Sequence, residues 1–228
     1  MRLLAIDTAT DACSAALYLD GQVREFLEIQ PRRHGALILG MMEQLLVDAG
    51  LRLTQLDALA FGRGPGAFTG VRIATGVIQG AAFGAGLPVV PVSTLAALAQ
   101  RHHRLNGAGR VLTAFDARMG EVYWGAFQIT AGQIAAPVIP EQVAAPDQVL
   151  LPDGDGWEGA GGGWAVHGDQ LRQRLGAALG AVDPELACGA QEVAILGVAG
   201  FQAGQAVAPE QALPVYLRDR VTWPGSGK

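Results

Sequence analysis

Residues 56–92, LDALAFGRGPGAFTGVRIATGVIQGAAFGAGLPVVPV, decide the fold. They open on an apolar run typical of a buried strand, followed by a glycine-rich turn at 62–66. A helix is expected from Thr69, whose hydroxyl could cap its first amides, to about Ala85. The apolar run 89–92 is then a second strand. A strand–helix–strand unit predicts a parallel sheet with helices on its faces.

Three glycines recur at every fourth position of the predicted helix, at Gly76, Gly80 and Gly84. They therefore share one helix face. Each costs about 1 kcal/mol of helix propensity relative to alanine, so the flat face should serve a close approach. Two interpretations stay open: tight packing on the helix's own sheet, or contact with a helix of another subunit.

An earlier helix, expected from about His34 to Ala49, is apolar around an unusually wide side. Leu39 and Val47 lie outside its main stripe. Such a helix is either sandwiched in the core or covered by a partner.

The composition limits the classes of protein. Half of the 228 residues are hydrophobic and 16% are charged, so a large core is available and disorder is not expected. A net charge of -5 argues against a stand-alone nucleic-acid binder. Lys228 is the only lysine, which excludes a P-loop.

Two cysteines, Cys13 and Cys188, form no disulfide framework and fit a reducing cytosol. Asp7 comes too early for the apolar core of a signal peptide, and no apolar run is long enough to span a bilayer. We therefore expect a cytoplasmic protein in which Cys13 is a buried, inert thiol.

The order strand, aspartate, turn, strand, turn, strand occurs twice. The first copy begins at Arg2 and has Asp7 after its first strand; the second begins at Arg110 and has Asp116 there. The repeat predicts two α/β domains, at 1–105 and 106–228.

The rest of the second half is less regular. We expect strands at 133–139 and 164–166, a glycine-rich loop at 153–163, and helices at 168–179 and 191–205. A late apolar segment is expected at 213–217 and a frayed tail from Trp223.

Asp7 and Asp116 could hold a hydrated magnesium ion near a nucleotide phosphate, in a cleft between the two halves. Thr8, Thr10 and Arg118 would belong to the same cleft. The alternative is that each aspartate accepts a hydrogen bond from its own turn. The turn interpretation is favoured, because Arg118 is bulky and alanine follows Thr8 where a phosphate would favour glycine.

No catalytic or metal-binding constellation emerges. The 62–70 loop fails the dinucleotide fingerprint. A structural turn is favoured there, and anion binding at the start of the following helix is the alternative. No serine stands in a nucleophile elbow. The four histidines are expected on the surface; they are His34, His102, His103 and His167.

Several segments together carry a resemblance to a known family: LLAIDTAT, CSAAL, GRGPGAFTGVRIATGVIQGAAFG, PVSTLAALA, FDARMGEVYWGAF and PVYLRDRVTWP. The chain resembles the TsaB (YeaZ) family, accessory subunits of the bacterial tRNA threonylcarbamoyladenosine machinery. The resemblance implies a two-domain actin/hexokinase/sugar-kinase-like fold, with mixed five-stranded sheets flanked by helices.

The same resemblance implies that the chain is not an enzyme. The catalytic paralogue TsaD carries a His-x-x-x-His metal pair, and Thr94 and Leu98 stand at the corresponding positions here. The implied role is to bind and activate TsaD, with TsaE. TsaD transfers the threonylcarbamoyl group to N6 of adenosine 37 in tRNAs that read codons beginning with A.

The resemblance places the contact with TsaD on the helices 34–49 and 69–85. Its residues would be His34, Leu37, Ile38, Met41, Met42, Leu45, Arg72, Ile73, Gly76, Val77, Gly80 and Gly84. A homodimer is implied for the chain alone, and tRNA would be reached only through the complex. No tightly bound cofactor is implied, although the complex could hold ATP or ADP with magnesium.

Two other classes of function stay open. One is a metal-independent, glycoprotease-like hydrolase, since relatives have been labelled glycoproteases. The other is a nucleotide-binding regulatory protein that uses the cleft around Asp7 and Asp116.

Overall fold

The computed structural model of the chain describes residues 1–218, and the frayed tail expected from Trp223 lies outside them. The strands of the first half are β1 (Arg2–Asp7), β2 (Ala12–Leu19), β3 (Gln22–Ile29), β4 (Ala58–Gly62) and β5 (Val89–Val92). Its helices are α1 (His34–Asp48), α2 (Phe68–Ala85) and α3 (Thr94–Asn106). The strands of the second half are β6 (Arg110–Arg118), β7 (Glu121–Ile129), β8 (Ala135–Pro137), β9 (Gln142–Ala144), β10 (Trp157–Ala160) and β11 (Leu179–Asp183). Its helices are α4 (Gly163–Leu175) and α5 (Ala190–Gln202).

The two halves build sheets of the same topology. The first has the order β3-β2-β1-β4-β5 and the second β8-β7-β6-β10-β11. In each, the first three strands pair antiparallel and the last two add in parallel. This confirms the repeat and the actin/sugar-kinase-like class of fold. The second sheet is larger than predicted, because β9 also pairs with β7.

Strand position explains burial. The central strand β4 is buried at every residue, as its uninterrupted apolar run predicts. The edge strand β3 has no buried residue, and its residues alternate between exposed and half-buried over 22–27.

Each half contributes its last helix to the sheet of the other half. Helix α3 packs against β6, β7 and β8, whereas α5 packs against β1, β2, β4 and β5. Side chains of both sheets and both helices form one continuous core. The domain boundary at 105/106 stays a prediction about the sequence. Within residues 1–218, no helix combines the length and the apolar character needed to cross a membrane.

Three local predictions in the second half are wrong. Residues 164–166 form part of α4, which begins at Gly163 rather than at 168, and β10 lies inside the expected loop at 153–163. The sequence did not predict β10 because its glycine is typical of loops. The structure requires glycine at 159, since a Cβ there would lie 2.7 Å from Cε2 of the Trp164 ring. The strand expected at 133–139 is reduced to β8.

One predicted helix cap is also wrong. Helix α2 begins at Phe68, and its capping position is Ala67, which has no side-chain hydrogen bond. Thr69 therefore lies inside the helix and does not cap it.

Candidate interdomain cleft and partner-binding face

Asp7 ends β1 and is buried, with 1% of its surface exposed. Its Oδ1 accepts a hydrogen bond from the Ala9 amide at 2.9 Å, as the turn interpretation predicts. Its Oδ2 has no hydrogen-bond partner among the described residues. Desolvation raises the pKa of Asp7 to about 7, against the lowering effect of the Ala9 bond, and the charge of Glu25 raises it further.

The glycine-rich loop after β4 closes over this turn. Thr8 Oγ1 donates a hydrogen bond to the Gly70 carbonyl at 2.7 Å, and the Ala67 amide donates to the Ala9 carbonyl at 2.7 Å. A Cβ on Gly70 would lie 1.9 Å from the Thr8 carbonyl oxygen, and one on Gly66 would lie 2.3 Å from that of Ala9. The loop is a structural turn whose glycines allow backbone to approach backbone. A magnesium-bound phosphate does not fit at Asp7, because protein backbone covers the turn.

Asp116, at the equivalent turn of the second half, is half-buried beside Arg118 and His167. Its Oδ1 accepts a hydrogen bond from the Arg118 amide at 3.0 Å, and its Oδ2 lies 3.2 Å from Nη1 of the same arginine. His167 Nε2 approaches Oδ1 at 3.4 Å. The structure therefore brings Asp116, Arg118 and His167 together, whereas Thr10 Oγ1 only accepts from the Ala12 amide at 3.4 Å.

Thr94 and Leu98, at the positions of the metal pair of TsaD, are both fully buried. Thr94 Oγ1 accepts a hydrogen bond from the Gly64 amide at 3.1 Å. Leu98 Cδ2 would be 2.5 Å from a Cβ on Gly161, so it packs against the second half. Thr94 therefore connects α3 to the loop after β4 within the first half, and Leu98 contacts the second half. Among residues 1–218, no three His, Cys, Asp or Glu side chains converge as a metal site requires.

The surface location expected for all four histidines is wrong for two of them. His34 is 8% exposed and His102 is 2% exposed. His102 lies on α3, and its Nε2 is 2.9 Å from Glu158 Oε2 on β10. Glu158 is available to His102 because α3 packs against the second sheet. The residue pattern of α3 alone could not predict this contact.

The predicted partner face divides into buried and open residues. Five of its members on α1 are buried in the first half: His34, Ile38, Met41, Met42 and Leu45. The last four belong to the core beneath α1, and Leu37 is half-buried beside them. These side chains attach α1 to its own sheet.

The members on α2 are more open. Gly76, Gly80 and Gly84 are exposed, and a Cβ at any of them would meet nothing within 4 Å. The interpretation that these glycines pack on their own sheet is therefore wrong. Arg72 is also exposed, and the remaining members, Ile73 and Val77, are half-buried.

Large apolar side chains that were not assigned to the face extend it. Phe83 is 81% exposed, Phe68 57%, Val47 66% and Leu39 59%. Leu39 and Val47 had a signal in the excess width of the α1 stripe, whereas the two phenylalanines had none. We call the exposed and half-buried side chains of α1 and α2, which pack side by side, the α1–α2 face.

The segment 212–218, predicted only as a late apolar stretch, lies along α2. Gln79 Nε2 donates a hydrogen bond to the Ala212 carbonyl at 3.1 Å, and the Val215 amide donates to the Arg63 carbonyl at 2.8 Å. Arg218 then pairs with Glu121 at the start of β7. The segment thus connects α2 to the second half.

Known proteins resemble the chain over nearly its whole length. A family model described as "TsaD: tRNA N6-adenosine threonylcarbamoyltransferase" matches residues 28–222. The tRNA threonylcarbamoyladenosine biosynthesis protein TsaB of Escherichia coli (strain K12) is 47% identical, over 98% of this chain and 97% of its own. That of Haemophilus influenzae is 38% identical, over 98% and 96%.

A solved structure has the same fold. YeaZ from Pseudomonas aeruginosa superposes with a TM-score of 0.88 at 46% identity, over 95% of this chain and 99% of its own. Sequence and fold agree along both halves: the chain belongs to the family that the TsaD model describes and, within it, to the TsaB family.

Proposed function

We propose that this chain is a non-catalytic subunit that binds and activates TsaD, together with TsaE. The complex would transfer threonylcarbamoyl to N6 of adenosine 37 in tRNAs reading codons that begin with A. Membership of the TsaB family supports the pathway. A cytoplasmic location is part of the proposal.

The α1–α2 face is the observation that carries the proposal. Phe83 and Phe68 project from α2 with most of their surfaces exposed, beside a glycine stripe that no other part of the described chain covers. Large exposed apolar patches mark interaction sites, and glycines let a partner helix approach closely. In the chain alone, a second copy would occupy the same face.

The inner surfaces support a role without catalysis. Thr94 and Leu98 are fully buried and engaged in packing. Cys13 is buried as expected, and desolvation, with added repulsion from Glu28 and Asp7, raises the pKa of its thiol to about 11. No described contact favours the hydrolase. ATP or ADP with magnesium in the assembled complex remains a proposal.

Reconstitution tests the activation. The purified chain is combined with TsaD, TsaE, tRNA, ATP and the threonylcarbamoyl-adenylate source, and each component is omitted in turn. We expect modified tRNA only when both this chain and TsaD are present. Modification by this chain without TsaD would overturn the non-catalytic assignment.

A pair of glycine substitutions tests the face. Gly80→Glu places a charge in the middle of the exposed stripe and should abolish co-purification with TsaD while the fold is retained. Gly168→Glu is the matched control, because Gly168 lies on α4 and its Cβ position is equally open. If folded Gly80→Glu binds TsaD as well as Gly168→Glu does, the assignment of the face is wrong.

A further inference from the structure

Arg72 is the only charged residue of α2, and its guanidinium is held in a fixed position. Its Cζ lies 3.8 Å from the centroid of the Phe68 ring, one helical turn earlier. Its Nε donates a hydrogen bond to Tyr216 Oη at 3.0 Å. The two rings pack at a centroid distance of 5.6 Å. One ring therefore supports the flat side of the guanidinium, and the hydroxyl fixes its rotation.

This arrangement leaves the outer edge of the guanidinium unused. Arg72 is exposed, and within residues 1–218 no carboxylate forms an ion pair with it. Nε is its only hydrogen-bonding atom in that part of the chain, so Nη1 and Nη2 remain as donors. A planar pair of donors with fixed spacing matches the two oxygens of a carboxylate.

The surroundings indicate which anion this position takes. The rest of the α2 surface holds no further cation: apolar side chains and glycines form most of it, and Thr69 and Gln79 are its uncharged polar residues. A nucleic-acid site would present a basic stripe, which α2 does not have. A single fixed cation in an apolar surface is typical of the centre of a protein–protein interface, where arginine is enriched and its pairing is strengthened by the exclusion of water.

We propose that Arg72, positioned by Phe68 and Tyr216, is the carboxylate-binding residue of the α1–α2 face, and that it pairs with an Asp or Glu side chain of TsaD. The inference rests on the proposed function and adds the specificity-determining contact. It also gives the segment 212–218 a role in recognition, because Tyr216 orients the arginine although it lies at the far end of the chain. The positioning lowers the entropic cost of forming the pair.

The test is the dissociation constant for TsaD, measured by calorimetry at low and at high salt. Arg72→Ala should weaken binding about tenfold or more and flatten the salt dependence, and Arg72→Glu should weaken it further by repelling the carboxylate. Arg72→Lys should recover only part of the affinity, since an ammonium lacks the planar pair of donors. Arg172→Ala is the control, because Arg172 is exposed on α4.

Tyr216→Phe tests the positioning. It keeps the ring and removes only the acceptor, so it should weaken binding about threefold, the scale of one net hydrogen bond. In the Arg72→Ala background the same substitution should have no effect on affinity, which a purely structural role of the hydroxyl would not predict. The melting temperature of each variant checks that it is folded.

The outcomes separate the two proposals. If the unchanged chain does not bind TsaD, the proposed function fails and this inference fails with it. If it binds and folded Arg72→Ala binds equally well, the inference alone is overturned. If Arg72→Ala leaves TsaD binding intact but weakens binding of tRNA to the chain, the anion is a phosphate and the carboxylate assignment is wrong.

Discussion

Asp7 and Asp116 occupy equivalent positions of a repeated fold and have opposite surroundings. Asp7 is the last residue of β1, Asp116 lies two residues before the end of β6, and each accepts a hydrogen bond from an amide two residues later. Asp7 lies under the glycine-rich loop with one unpartnered oxygen, whereas Asp116 is half-buried beside Arg118 and His167. The repeat therefore reproduces the backbone of the turn but not its solvation. Solvation depends on what a distant loop places over the turn.

The largest effect should come from neutralising the buried member of this pair. The pKa of Asp7 is about 7 in the folded chain, well above its value of 3.8 without burial. The folded chain therefore binds one more proton than the unfolded chain between these values, so the free energy of unfolding falls as pH rises through that window. The loss should reach about 4 kcal/mol. Asp7→Asn cannot titrate and should lack this loss, as urea unfolding between pH 4 and pH 8 would show.

Asp116→Asn is the control for this measurement. It removes the equivalent carboxylate from a half-buried site, so it shows what the loss of a carboxylate at this turn does when the carboxylate is not fully buried. The difference curve between Asp7→Asn and the unchanged chain isolates Asp7 from the other buried acids. A flat difference curve would mean that water reaches the Asp7 carboxyl and that the contrast between the turns is smaller than described.

Two glycines of the same helix separate close approach from open surface. Gly70→Ala would push a Cβ against the Thr8 carbonyl, which is backbone and cannot rotate away, and should lower the free energy of unfolding by about 3 kcal/mol. Gly76→Ala should raise it by about 0.5–1 kcal/mol, because its Cβ meets nothing. Thermal unfolding of both variants measures the difference. Equal effects would contradict the close backbone contact between Gly70 and the turn after Asp7.

Helices α3 and α5 extend the comparison to helix caps. Ser93 Oγ accepts a hydrogen bond from the Ala96 amide at 3.1 Å, a local cap on α3. At the start of α5, the amides donate instead to side chains of the first sheet. The Ala190 amide donates to Ser14 Oγ of β2 and the Gln191 amide to Glu25 Oε1 of β3, both at 2.9 Å. Ser93→Ala should lower the free energy of unfolding by about 1–2 kcal/mol, because it removes both the N-cap and the hydrogen bond that Ser93 Oγ donates to Glu141.

Ser14 is fully buried. Ser14→Ala should lower the free energy of unfolding by about 1–2 kcal/mol, because it leaves the Ala190 amide without a hydrogen-bond acceptor. Urea unfolding of the two variants measures both effects. Hydrogen exchange then gives their locations: Ser93→Ala should loosen the start of α3, and Ser14→Ala the start of α5. If Ser14→Ala were neutral, α5 would not depend on the first sheet for its cap.

These cases also show how far the sequence alone could predict the molecule. Features that depend on neighbouring residues were predictable: the apolar run of β4 and the repeated strand–aspartate–turn order. Features made by residues distant in sequence were not. Glu158 on β10 pairs with the buried His102 of α3, and Tyr216 contacts Arg72 from 144 residues further along the chain. The hydrophobic pattern within one helix or strand does not predict such contacts.

The exchange of helices between the halves has a consequence for synthesis on the ribosome. The first sheet is complete in sequence by Val92, yet the face that α5 covers stays open until residues 190–202 have been made. About half of the chain must therefore be synthesised while one apolar face of the first sheet is still exposed. Such long-range contacts favour slow folding, and an exposed apolar face calls for protection by chaperones. The nascent chain would acquire its α1–α2 face early, but Tyr216, which orients Arg72, is made only after α5.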